Sequence, residues 1–489
     1  MHPTRIVTLP GRSVDDLRAQ LGVAELAGAE LAEIRVDRLS GPERQRLAEL
    51  FPAPIGLIAT LRSRAEGGEG PDDPAERAGL LAEIAALPFA AVDWEGARDL
   101  PLRSEARTIV SFHEVALDSE GIRRKLSERF EGSWFVKVVV PATVGEAIST
   151  LLPVLPPAGE NRFVFHTTGA SGPLLRGWSE RLGMAAVYCS LPTAAGIDAV
   201  EVSQIPVDRI RQFTEAPGPA RLFAVLGQPV AHSLSPAIHS RWFAAARRRG
   251  LYLALEIGSD HEFAEALPGL ISGGFTGVNV THPWKRLALE LSEESSLGAE
   301  RCGCANTLVF DAGSIRAENT DLVAVLRRLE ELQSDGSWAG ERLVVLGAGG
   351  AARATLAAAE AVGARATVAS RRPEEAVSLA REFGQEARAW SDPVRCDLVV
   401  HATPIGRSSA GDPPPSISDW IAPAGRVLDF VYRPERTTVA EAAARAGGSY
   451  EDGWRLLVYQ AAESYRIWWG VAPPERTSSE LLQEGPSAG

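Results

Sequence analysis

Residues 342–359, RLVVLGAGGAARATLAAA, join an apolar run, a glycine turn and an alanine-rich helical segment. Such a strand–turn–helix unit predicts a nucleotide-binding α/β fold. Gly347, Gly349 and Gly350 would permit a tight turn and the close approach of a pyrophosphate. The N-terminus of the helix that follows favours an anion. A glycine turn alone is a weak signal, and its place between a strand and a helix makes it a strong one.

The residues after the next predicted strand indicate which cofactor binds. NAD-binding chains usually place an acidic residue there for the ribose hydroxyl. This chain has Ser370, Arg371 and Arg372 in the stretch ATVASRRPEEA. Two arginines suit a 2′-phosphate, so we expect NADP. The alternatives are a solvated turn with no ligand, and NAD as cofactor.

Upstream of this unit, short polar side chains follow apolar runs. The stretches are GVNVTHPWK (277–285), GCANTLV (303–309) and AENTDL (317–322). Asn279, Thr281 and Asn306 are suited to binding a polyol. Lys285 and Asp321 could form a proton-transfer pair. A plain surface salt bridge between them is the alternative.

The overall composition limits the classes of function. A chain of 489 residues with 45% hydrophobic content predicts about two to four ordinary globular domains. The net charge of −13 argues against nucleic acid as a partner and leaves anionic small molecules possible. The four cysteines show neither a disulfide framework nor zinc-ligand spacing, so we expect no metal. With no apolar run of about 18 residues and no secretory pattern at the start, we expect a cytoplasmic chain with no membrane partner.

The first half predicts a barrel. From residue 5 to about 213, eight short apolar runs alternate with amphipathic helical stretches. Eight strand–helix units predict a (β/α)₈ barrel, in which residues at the strand ends meet at one mouth or point into the centre. Polar residues within or just after these strands are Glu33, Arg35, Asp37, Arg62, Asp93, Glu95, His113 and Lys137.

At the other end of the chain, the tail after about residue 474 is expected to be frayed.

Lysine is rare in this chain and therefore informative. Of the 50 basic residues, only three are lysines, namely Lys125, Lys137 and Lys285, and the others are arginines. Arginine supplies positive charge equally well, but only a desolvated lysine can supply a neutral amine near pH 7. We therefore expect Lys137 and Lys285 to do chemistry, and Lys125 to be a solvated helix residue.

Lys137 lies in the apolar run SWFVKVVVPA (133–142), where a charged amine is costly unless it is paired or neutral. A lysine at a barrel mouth can form a Schiff base with a ketone. His113, one strand earlier, could then remove the proton from the adjacent carbon, with Glu66 orienting the ring. The alternative is a structural lysine whose amine extends to the edge of the sheet.

Five short stretches of the first half occur in the order of a known family. They are EIRVD (33–37), TLRSRAEGG (60–68), VDWE (92–95), SFHE (111–114) and VKVVV (136–140). Over roughly residues 5–204 the chain resembles type I 3-dehydroquinate dehydratase. The resemblance implies Lys137 as the Schiff-base lysine and His113 as general acid and base, oriented by Glu66. The substrate ligands that it implies are Glu33, Arg35, Arg62, Arg176 and Gln204.

One loop departs from this family. The stretch DAVEVSQIP (198–206) keeps Gln204, but Val200 stands where the family has a serine. We expect the chemistry to be retained, because the lysine and the histidine are present. We expect closure of this loop over the substrate to be altered.

The second half resembles shikimate dehydrogenase over about residues 221–470, once AHSLSPAIH (231–239), DFVYRPERT (429–437) and DGWRLLVYQAAESYRIWWG (452–470) are added. The resemblance implies Lys285 and Asp321 as catalytic residues. The implied substrate ligands are Ser233, Ser235, Asn279, Thr281, Asn306, Tyr432 and Gln460. The predicted cofactor residues are Gly347, Ala348, Gly349, Gly350, Ala351, Ser370, Arg371, Arg372, Thr403 and Gly453. Leu322 stands where the family often has glycine, and SRR replaces its usual Asn-Arg-Thr.

The sequence thus predicts an α/β chain in three parts. A (β/α)₈ barrel (1–213) precedes a two-lobed shikimate dehydrogenase-like unit, with a catalytic domain (220–325 and 455–475) and a Rossmann NADP domain (326–454). The implied function is dehydration of 3-dehydroquinate followed by NADPH reduction of 3-dehydroshikimate to shikimate. The alternatives are a quinate or shikimate dehydrogenase with a weak or lost dehydratase half, and a non-catalytic ligand sensor. The oligomeric state is left open.

Overall fold

The structure is a computed structural model, and it describes most of the chain. The described residues are 2–95, 106–113, 118–127, 133–156, 162–201, 203–311, 313–333, 338, 340–405, 417–422, 425–432 and 437–485. They divide into two compact units, Met1–Leu222 with Arg247–Gly274, and Phe223–Ala246 with Phe275–Gly489. The domain boundaries inferred from the sequence stay predictions. No helix in the described ranges has the length and apolar character needed to cross a bilayer.

The first unit is built on a parallel sheet whose first eight strands fall on the eight predicted runs. The strands are β1 (Thr4–Leu9), β2 (Leu31–Arg35), β3 (Gly56–Thr60), β4 (Ala91–Glu95), β5 (Arg107–His113), β6 (Ser133–Pro141), β7 (Phe163–Thr168), β8 (Ala186–Ser190) and β9 (Ile205–Pro206). Their spatial order is β7-β6-β5-β4-β3-β2-β1-β8-β9. The N–H of Ala185 donates to the carbonyl of Phe163 at 2.9 Å, and the N–H of Tyr188 donates to Nε2 of His166 at 3.2 Å. These bonds join β7 to β8, and the predicted (β/α)₈ barrel is confirmed.

Helices connect the barrel strands, and side-chain caps begin several of them. The helices are α1 (Val14–Ala27), α2 (Gly41–Gln45), α3 (Pro74–Ala85), α4 (Ser119–Ser127), α5 (Val144–Glu146), α6 (Gly172–Gly177) and α7 (Val207–Glu215). Ser13 and Asp73 accept backbone N–H groups at the starts of α1 and α3.

Apolar side chains fill the centre of the barrel, among them Ile6, Ile58, Ile109, Phe135 and Val164, all buried. Since side chains alternate along a strand, the inward positions further along are occupied by polar groups. The polar site therefore lies towards the carboxyl ends of the strands.

The next part of the chain forms a mixed sheet. Its elements in chain order are β10 (Arg221–Gly227), α8 (Ser235–Ala245), β11 (Gly250–Glu256), α9 (Asp260–Ser272), β12 (Phe275–Val280), α10 (Lys285–Glu290), β13 (Glu294–Ser295), α11 (Leu297–Cys302), β14 (Thr307–Asp311), β15 (Ser314–Glu318) and α12 (Thr320–Leu332). β11 and α9 are grouped with the first unit. Within the second unit the strands run in the order β10-β12-β14-β15-β13.

The rest of the second unit is a parallel, doubly wound sheet. Its elements are β16 (Arg342–Leu346), α13 (Gly350–Ala361), β17 (Arg365–Ser370), α14 (Pro373–Glu382), β18 (Glu386–Ala389), β19 (Leu398–His401), α15 (Ile417–Ile421), β20 (Arg426–Asp429), α16 (Thr438–Ala446), β21 (Ser449–Glu451), α17 (Trp454–Trp469) and α18 (Glu475–Glu484). The strand order β18-β17-β16-β19-β20-β21 reverses direction between β16 and β19. This order is that of the Rossmann fold, so the predicted Rossmann architecture is confirmed. In such sheets a ligand binds in the crevice at the point of reversal.

The tail is helical, and the expectation that it is frayed was wrong over α18. Leu481 is buried, and its carbonyl accepts a hydrogen bond from Nε1 of Trp454 at 2.8 Å. Glu484 forms an ion pair with Arg241 at 2.5 Å. Most residues of the tail are polar, which predicted disorder. The burial of Leu481 orders the helix through tertiary contacts. Residues 486–489 lie outside the described residues.

Candidate active sites

The amine of Lys137 is buried in the barrel between two carboxylates. Only 5% of the residue is exposed. Its Nζ atom lies 3.3 Å from Oδ2 of Asp93 and 3.6 Å from Oε1 of Glu33. The ring of Tyr188 covers the amine, with 4.0 Å between Nζ and the ring centroid. These neighbours stabilise a positive charge on the nitrogen, whether as ammonium or as iminium.

Glu33 is held in place by two threonines. The hydroxyls of Thr8 and Thr60 donate to its two oxygens at 2.7 and 2.8 Å. Gln204, in the loop after β8, donates from Nε2 to Oγ1 of Thr8 at 3.0 Å. The loop that departs from the family at Val200 is therefore connected through Thr8 to a carboxylate beside Lys137.

Asp93 remains ionised despite its burial. Burial raises the pKa of its carboxyl, but the charges of Lys137 and Arg62 and a hydrogen bond from Ser111 outweigh burial, and the net pKa is lowered. Ser111 donates directly to Oδ1 of Asp93. The carboxylate therefore opposes the charge on the nitrogen of Lys137 throughout the ordinary pH range.

His113 and Glu66 face each other, with 3.4 Å between Nδ1 and Oε2. Glu66 also accepts the backbone N–H of His113 at 3.1 Å. Burial first, and then the charges of Arg62, Lys137 and Arg35, hold the pKa of His113 well below its ordinary value. The imidazole is therefore neutral near pH 7 and able to accept a proton.

The pKa of Glu66 is raised to about 7. Burial is the main cause, and the charge of Glu95 adds to it, whereas Arg62 and the N–H of His113 oppose it. Nη1 of Arg62 lies 3.0 Å from Oε2 of Glu66. The charge that Glu66 presents to His113 therefore changes within the physiological pH range.

The three predicted substrate arginines have different surroundings. Arg62 is paired with carboxylates, among them Asp93 at 3.4 Å. Arg35 forms a bidentate pair with Asp37 at 2.8 and 2.7 Å. Arg176 is buried and donates to the carbonyls of Thr167, Gly172 and Tyr188 at 2.9, 3.0 and 3.2 Å. These carbonyls do not neutralise its charge, which suits Arg176 to an anionic ligand.

Sequence analysis placed Asp93 and Glu95 at the barrel mouth without giving them a role, and it did not single out Arg77. Oε1 of Glu95 accepts from the N–H of Ser63 at 2.9 Å and from Arg62 at 3.2 Å. Arg77, on α3, lies 3.1 Å from the other oxygen of Glu95. The two-residue spacing of Asp93 and Glu95 puts both on one face of β4. Nothing in the local sequence of α3 marks Arg77 as a partner of Glu95.

The prediction that Lys125 is a solvated residue was wrong. Its Nζ atom lies 3.7 Å from the centroid of the Phe112 ring, and the side chain is half-buried. An ammonium over an aromatic face makes a cation–π contact, for which arginine or lysine serves. Lys125 therefore packs against the strand that carries His113, with no neutral amine required.

In the second unit, Lys285 and Asp321 form a close pair with 2.5 Å between Nζ and Oδ2. Their side chains are only 18% and 11% exposed, so the surface salt bridge considered as the alternative does not describe them. Lys285 begins α10, and Asp321 lies in the first turn of α12. Asn319 caps α12 and donates to the carbonyl of Cys304 at 2.9 Å, which fixes the position of Asp321.

One cleft brings the predicted polyol-binding residues together with this pair. Its lining includes Ser233, Ser235, Asn279, Thr281, Lys285, Asn306, Asp321, Tyr432 and Gln460. Gly453, predicted as a cofactor residue, lines the same cleft. These residues are widely separated in sequence: Asn279 lies in β12, Lys285 begins α10, and Gln460 lies within α17. Apolar side chains such as Val225 and Val230 line the same cleft.

A hydrogen-bonded layer beneath the cleft was not predicted. Asn279 donates from Nδ2 to the hydroxyls of Thr307 and Ser464, both at 2.9 Å. Asn306 donates to Oγ1 of Thr320 at 3.0 Å. Such bonds fix which atoms the two amides present to the cleft. Ser464 lies within α17, and nothing in the local sequence distinguishes it.

The glycine turn fits a pyrophosphate. Gly347 has φ 129°, and a Cβ there would lie 2.6 Å from the carbonyl oxygen of Ala402. Gly349 is the N-cap of the 12-residue α13 and provides no side-chain cap, which leaves backbone N–H groups for an anion. A Cβ on Gly350 would lie 2.7 Å from Cδ of Lys285. Ala348 is half-buried in this turn, and Ala351 is the second residue of α13.

The predicted 2′-phosphate residues lie at the carboxyl end of β17. Oγ of Ser370 accepts the N–H of Arg372 at 3.3 Å. Arg371 and Arg372 are exposed, and Arg372 pairs with Glu375 at 2.7 Å. Two guanidinium groups at this strand end fit a 2′-phosphate.

The folds and sites of the two units are those of a lyase barrel and of a nucleotide-dependent dehydrogenase in one chain. The model of type I 3-dehydroquinase matches residues 6–218, and that of the shikimate dehydrogenase substrate binding domain matches residues 225–308. A protein of Moorella thermoacetica named shikimate dehydrogenase (NADP(+)) is 36% identical over 288 residues, covering 55% of this chain and 97% of its own. One of the same name from Acidiphilium cryptum is 40% identical over 261 residues, covering 52% and 93%.

A solved structure shows a comparable match. Shikimate dehydrogenase of Thermus thermophilus, in complex with NADP(H) and shikimate, is 34% identical, covers 54% of this chain and 99% of its own, and has a TM-score of 0.47. The chain belongs to the shikimate dehydrogenase family and carries a type I 3-dehydroquinase domain ahead of that region.

Proposed function

We propose that this chain catalyses two consecutive reactions, the dehydration of 3-dehydroquinate to 3-dehydroshikimate and the reduction of 3-dehydroshikimate to shikimate. The observation that carries the proposal is the tandem of two family matches, residues 6–218 and 225–308, in one chain. The product of the first activity is the substrate of the second. Each half also holds a largely buried amine paired with a carboxylate, Lys137 with Asp93 in the first and Lys285 with Asp321 in the second.

In the first reaction the ammonium of Lys137 gives up a proton, and the neutral amine attacks the ketone carbon. The carbinolamine that forms then loses its hydroxyl, which leaves with that proton as water, and an iminium remains. Asp93 and Glu33 oppose the positive charge on that nitrogen, so they stabilise the intermediate as well as the free ammonium. The neutral imidazole of His113 removes a proton from the carbon next to the iminium, and the electron pair forms an enamine. The enamine expels the hydroxyl one carbon further on, with a proton from His113, as water. Hydrolysis of the iminium then releases the enone and restores Lys137.

Other residues of the barrel bind and orient. Glu66 faces His113 and stabilises the imidazolium that forms when the ring takes the proton. Arg176, whose charge is not neutralised by its backbone partners, is suited to the substrate carboxylate. Arg62 holds Asp93 and Glu66 in position through its pairs with both.

In the second reaction bound NADPH would supply the hydride that the ketone carbon accepts. Lys285 holds a proton at the ketone oxygen, and Asp321, 2.5 Å away, accepts hydrogen bonds that orient the amine. Asn279 and Asn306, fixed from beneath, present amide groups to the hydroxyls of the ring. Arg371 and Arg372 would hold the 2′-phosphate, which supports NADP over NAD.

The setting of this function follows from the same features. Small carboxylated polyols are the substrates, and a net charge of −13 disfavours nucleic acid as a partner. We place the protein in the cytoplasm, where NADPH is available, with no membrane or nucleic-acid partner and no metal requirement.

The test is a coupled assay on the full chain with 3-dehydroquinate and NADPH. Formation of the conjugated enone reports dehydration, and consumption of NADPH reports reduction. Adding 3-dehydroshikimate directly isolates the second step. A chain that binds these molecules without converting either would be a sensor, and one that reduces 3-dehydroshikimate but does not form it would have lost the dehydratase activity. Replacing 3-dehydroshikimate by quinate and NADP⁺ checks the remaining alternative.

A further inference from the structure

A chain of buried hydrogen bonds ends at Thr403, just beyond β19. Nε2 of His401 lies 2.5 Å from Oγ1 of Thr403, and Nδ1 of His401 lies 2.8 Å from Oδ1 of Asp429, at the end of β20. Neither the histidine nor the aspartate has exposed surface. Tyr450 donates its hydroxyl to the other oxygen of Asp429 at 3.1 Å. The mechanism above uses none of these four side chains.

The donor and acceptor in each of these hydrogen bonds can be assigned by starting from Asp429. Oδ1 of Asp429 accepts the N–H of Val431 at 2.9 Å, and Oδ2 accepts the hydroxyl of Tyr450. Burial and the charge of Asp429 raise the pKa of Tyr450, so the phenol keeps its proton. An ionised carboxylate only accepts, so Nδ1 of His401 carries the proton. In a neutral imidazole Nε2 is then an acceptor, and the hydroxyl of Thr403 donates to it.

Thr403 is also fixed by its position in the nucleotide fold. Its Cγ2 methyl lies 3.2 Å from the point that a Cβ on Gly347 would occupy. The methyl therefore faces the glycine turn and the hydroxyl faces His401. The oxygen donates its hydrogen to the histidine and accepts the backbone N–H of Ile405 at 3.3 Å. It keeps one lone pair for a further donor, and Thr403 is only half-buried.

The sheet order decides which part of a dinucleotide this oxygen is suited to. β17, which carries Ser370, lies on one side of β16, and β19 lies on the other. Each half of this fold binds one mononucleotide. The 2′-phosphate residues mark the β17 side for the adenosine half, so Thr403 belongs with the nicotinamide half. In that half the carboxamide NH₂ is the group that donates hydrogen bonds without accepting them.

We propose that His401 and Asp429 are positioning residues that hold Thr403 as a hydrogen-bond acceptor for the carboxamide NH₂ of the cofactor. The inference rests on the proposed NADP-dependent reduction. It adds to that function the reason for a buried histidine–aspartate pair under the nicotinamide half. Because the hydroxyl oxygen of Thr403 can only accept a hydrogen bond from a ligand, it suits the carboxamide NH₂. It has no hydrogen to donate to a phosphate.

Calorimetric titration of the full chain tests the proposal without turnover. The ligands are NADP⁺ and its 3-acetylpyridine analogue, in which a methyl group replaces the carboxamide NH₂. We expect the wild type to bind NADP⁺ on the order of tenfold more tightly than the analogue. Thr403→Val should reduce this ratio to about one, whereas Thr403→Ser should keep it. A ratio near one in the wild type, or an unchanged ratio in Thr403→Val, would overturn the inference.

The direction of the hydrogen bonds from Thr403 through His401 to Asp429 is tested separately, by nitrogen NMR of the protein labelled at histidine. His401, identified by the signal lost in His401→Gln, should show a protonated Nδ1 and a pyridine-type Nε2. Asp429→Asn is the matched control. Its amide oxygen can face His401 and Val431 while its NH₂ faces Tyr450, so tautomer and ligand ratio should both persist.

The opposite tautomer in the wild type would overturn the assignment. So would loss of the ligand ratio in Asp429→Asn with the tautomer unchanged, since the negative charge and not the direction of the bonds would then matter. Absence of any NADP⁺ binding by the wild type would instead reject the proposed function, and this inference with it.

Discussion

Lys285 and Asp321 form one of the closest ion pairs of the second unit, with 2.5 Å between Nζ and Oδ2 inside a polar cleft. The same lysine passes beside the glycine turn, since a Cβ on Gly350 would lie 2.7 Å from its Cδ. One side chain thus connects the substrate cleft with the nucleotide-binding turn. Its position depends on a carboxylate at one end and on the absence of a side chain beside its stem.

Replacing Lys285 by arginine should abolish the reduction while dehydration persists. Arginine keeps the charge but cannot release a proton near pH 7. We expect a loss on the order of a hundredfold or more in kcat for 3-dehydroshikimate, within the range that proton transfer contributes. Oxidation of shikimate with NADP⁺ should fall equally. If Lys285→Arg reduces the ketone at the wild-type rate, Lys285 does not transfer the proton.

Gly350→Ala should impair reduction through the same lysine. The added methyl would meet Cδ of Lys285 at 2.7 Å, so either the lysine or the glycine turn must move. We expect at least a tenfold lower kcat/KM for reduction, because small misplacements of reacting groups are costly. Gly425→Ala is the matched control, since a Cβ there meets nothing within 4 Å. Equal losses in both variants would indicate a general loss of stability.

Lys137→Arg should abolish dehydration and leave reduction intact, because a guanidinium cannot form the imine. A fall of several orders of magnitude in enone formation is expected. Borohydride added with 3-dehydroquinate should leave a stable adduct on the peptide that carries Lys137, localised by fragmentation mass spectrometry. Lys125→Arg is the control and should be silent, since arginine can also make the contact with Phe112. An adduct on Lys125 would refute the assignment.

The rate of dehydration should fall as the pH decreases through about 7, where Glu66 takes up a proton, and this fall forms the acidic limb of the pH–rate profile. The pKa of Glu66 is raised, so its charged form is present above that value and is lost below it. The imidazolium formed on His113 then has no facing charge. His113 does not cause this limb, because its own lowered pKa keeps it neutral over the same range. In Glu66→Gln the rate should be lower throughout and the limb absent, and a limb that persists would assign it to another group.

Replacing Arg371 by aspartate and Arg372 by serine should weaken NADPH far more than NADH. The arginines supply charge to a 2′-phosphate that NADH lacks. We expect at least a tenfold rise in KM for NADPH with little change for NADH. Arg388→Ser is the control, because it removes an exposed arginine, paired with Asp392, from the same sheet. Equal losses for both cofactors would count against the assignment.

The sequence by itself determined the architecture and the reactive groups. Eight apolar runs marked the barrel strands, and a glycine turn between a strand and a helix marked the nucleotide fold, because both signals are local and repeat with the geometry of the backbone. Because lysine is scarce, Lys137 and Lys285 stand out as candidates for chemistry. Nearly every other basic residue is an arginine, which suffices wherever only positive charge is needed.

Only the tertiary structure decided which groups face one another. Asp93 lies 44 residues from Lys137, and His401 lies 28 residues from Asp429, yet each pair meets across neighbouring or converging strands. The tail helix α18 is ordered by the burial of Leu481, and Lys125 is placed by the ring of Phe112. Local patterns carry backbone preference and the polarity of a face. Pairings of this kind depend on strand order and on the depth of burial, which arise only when distant segments pack together.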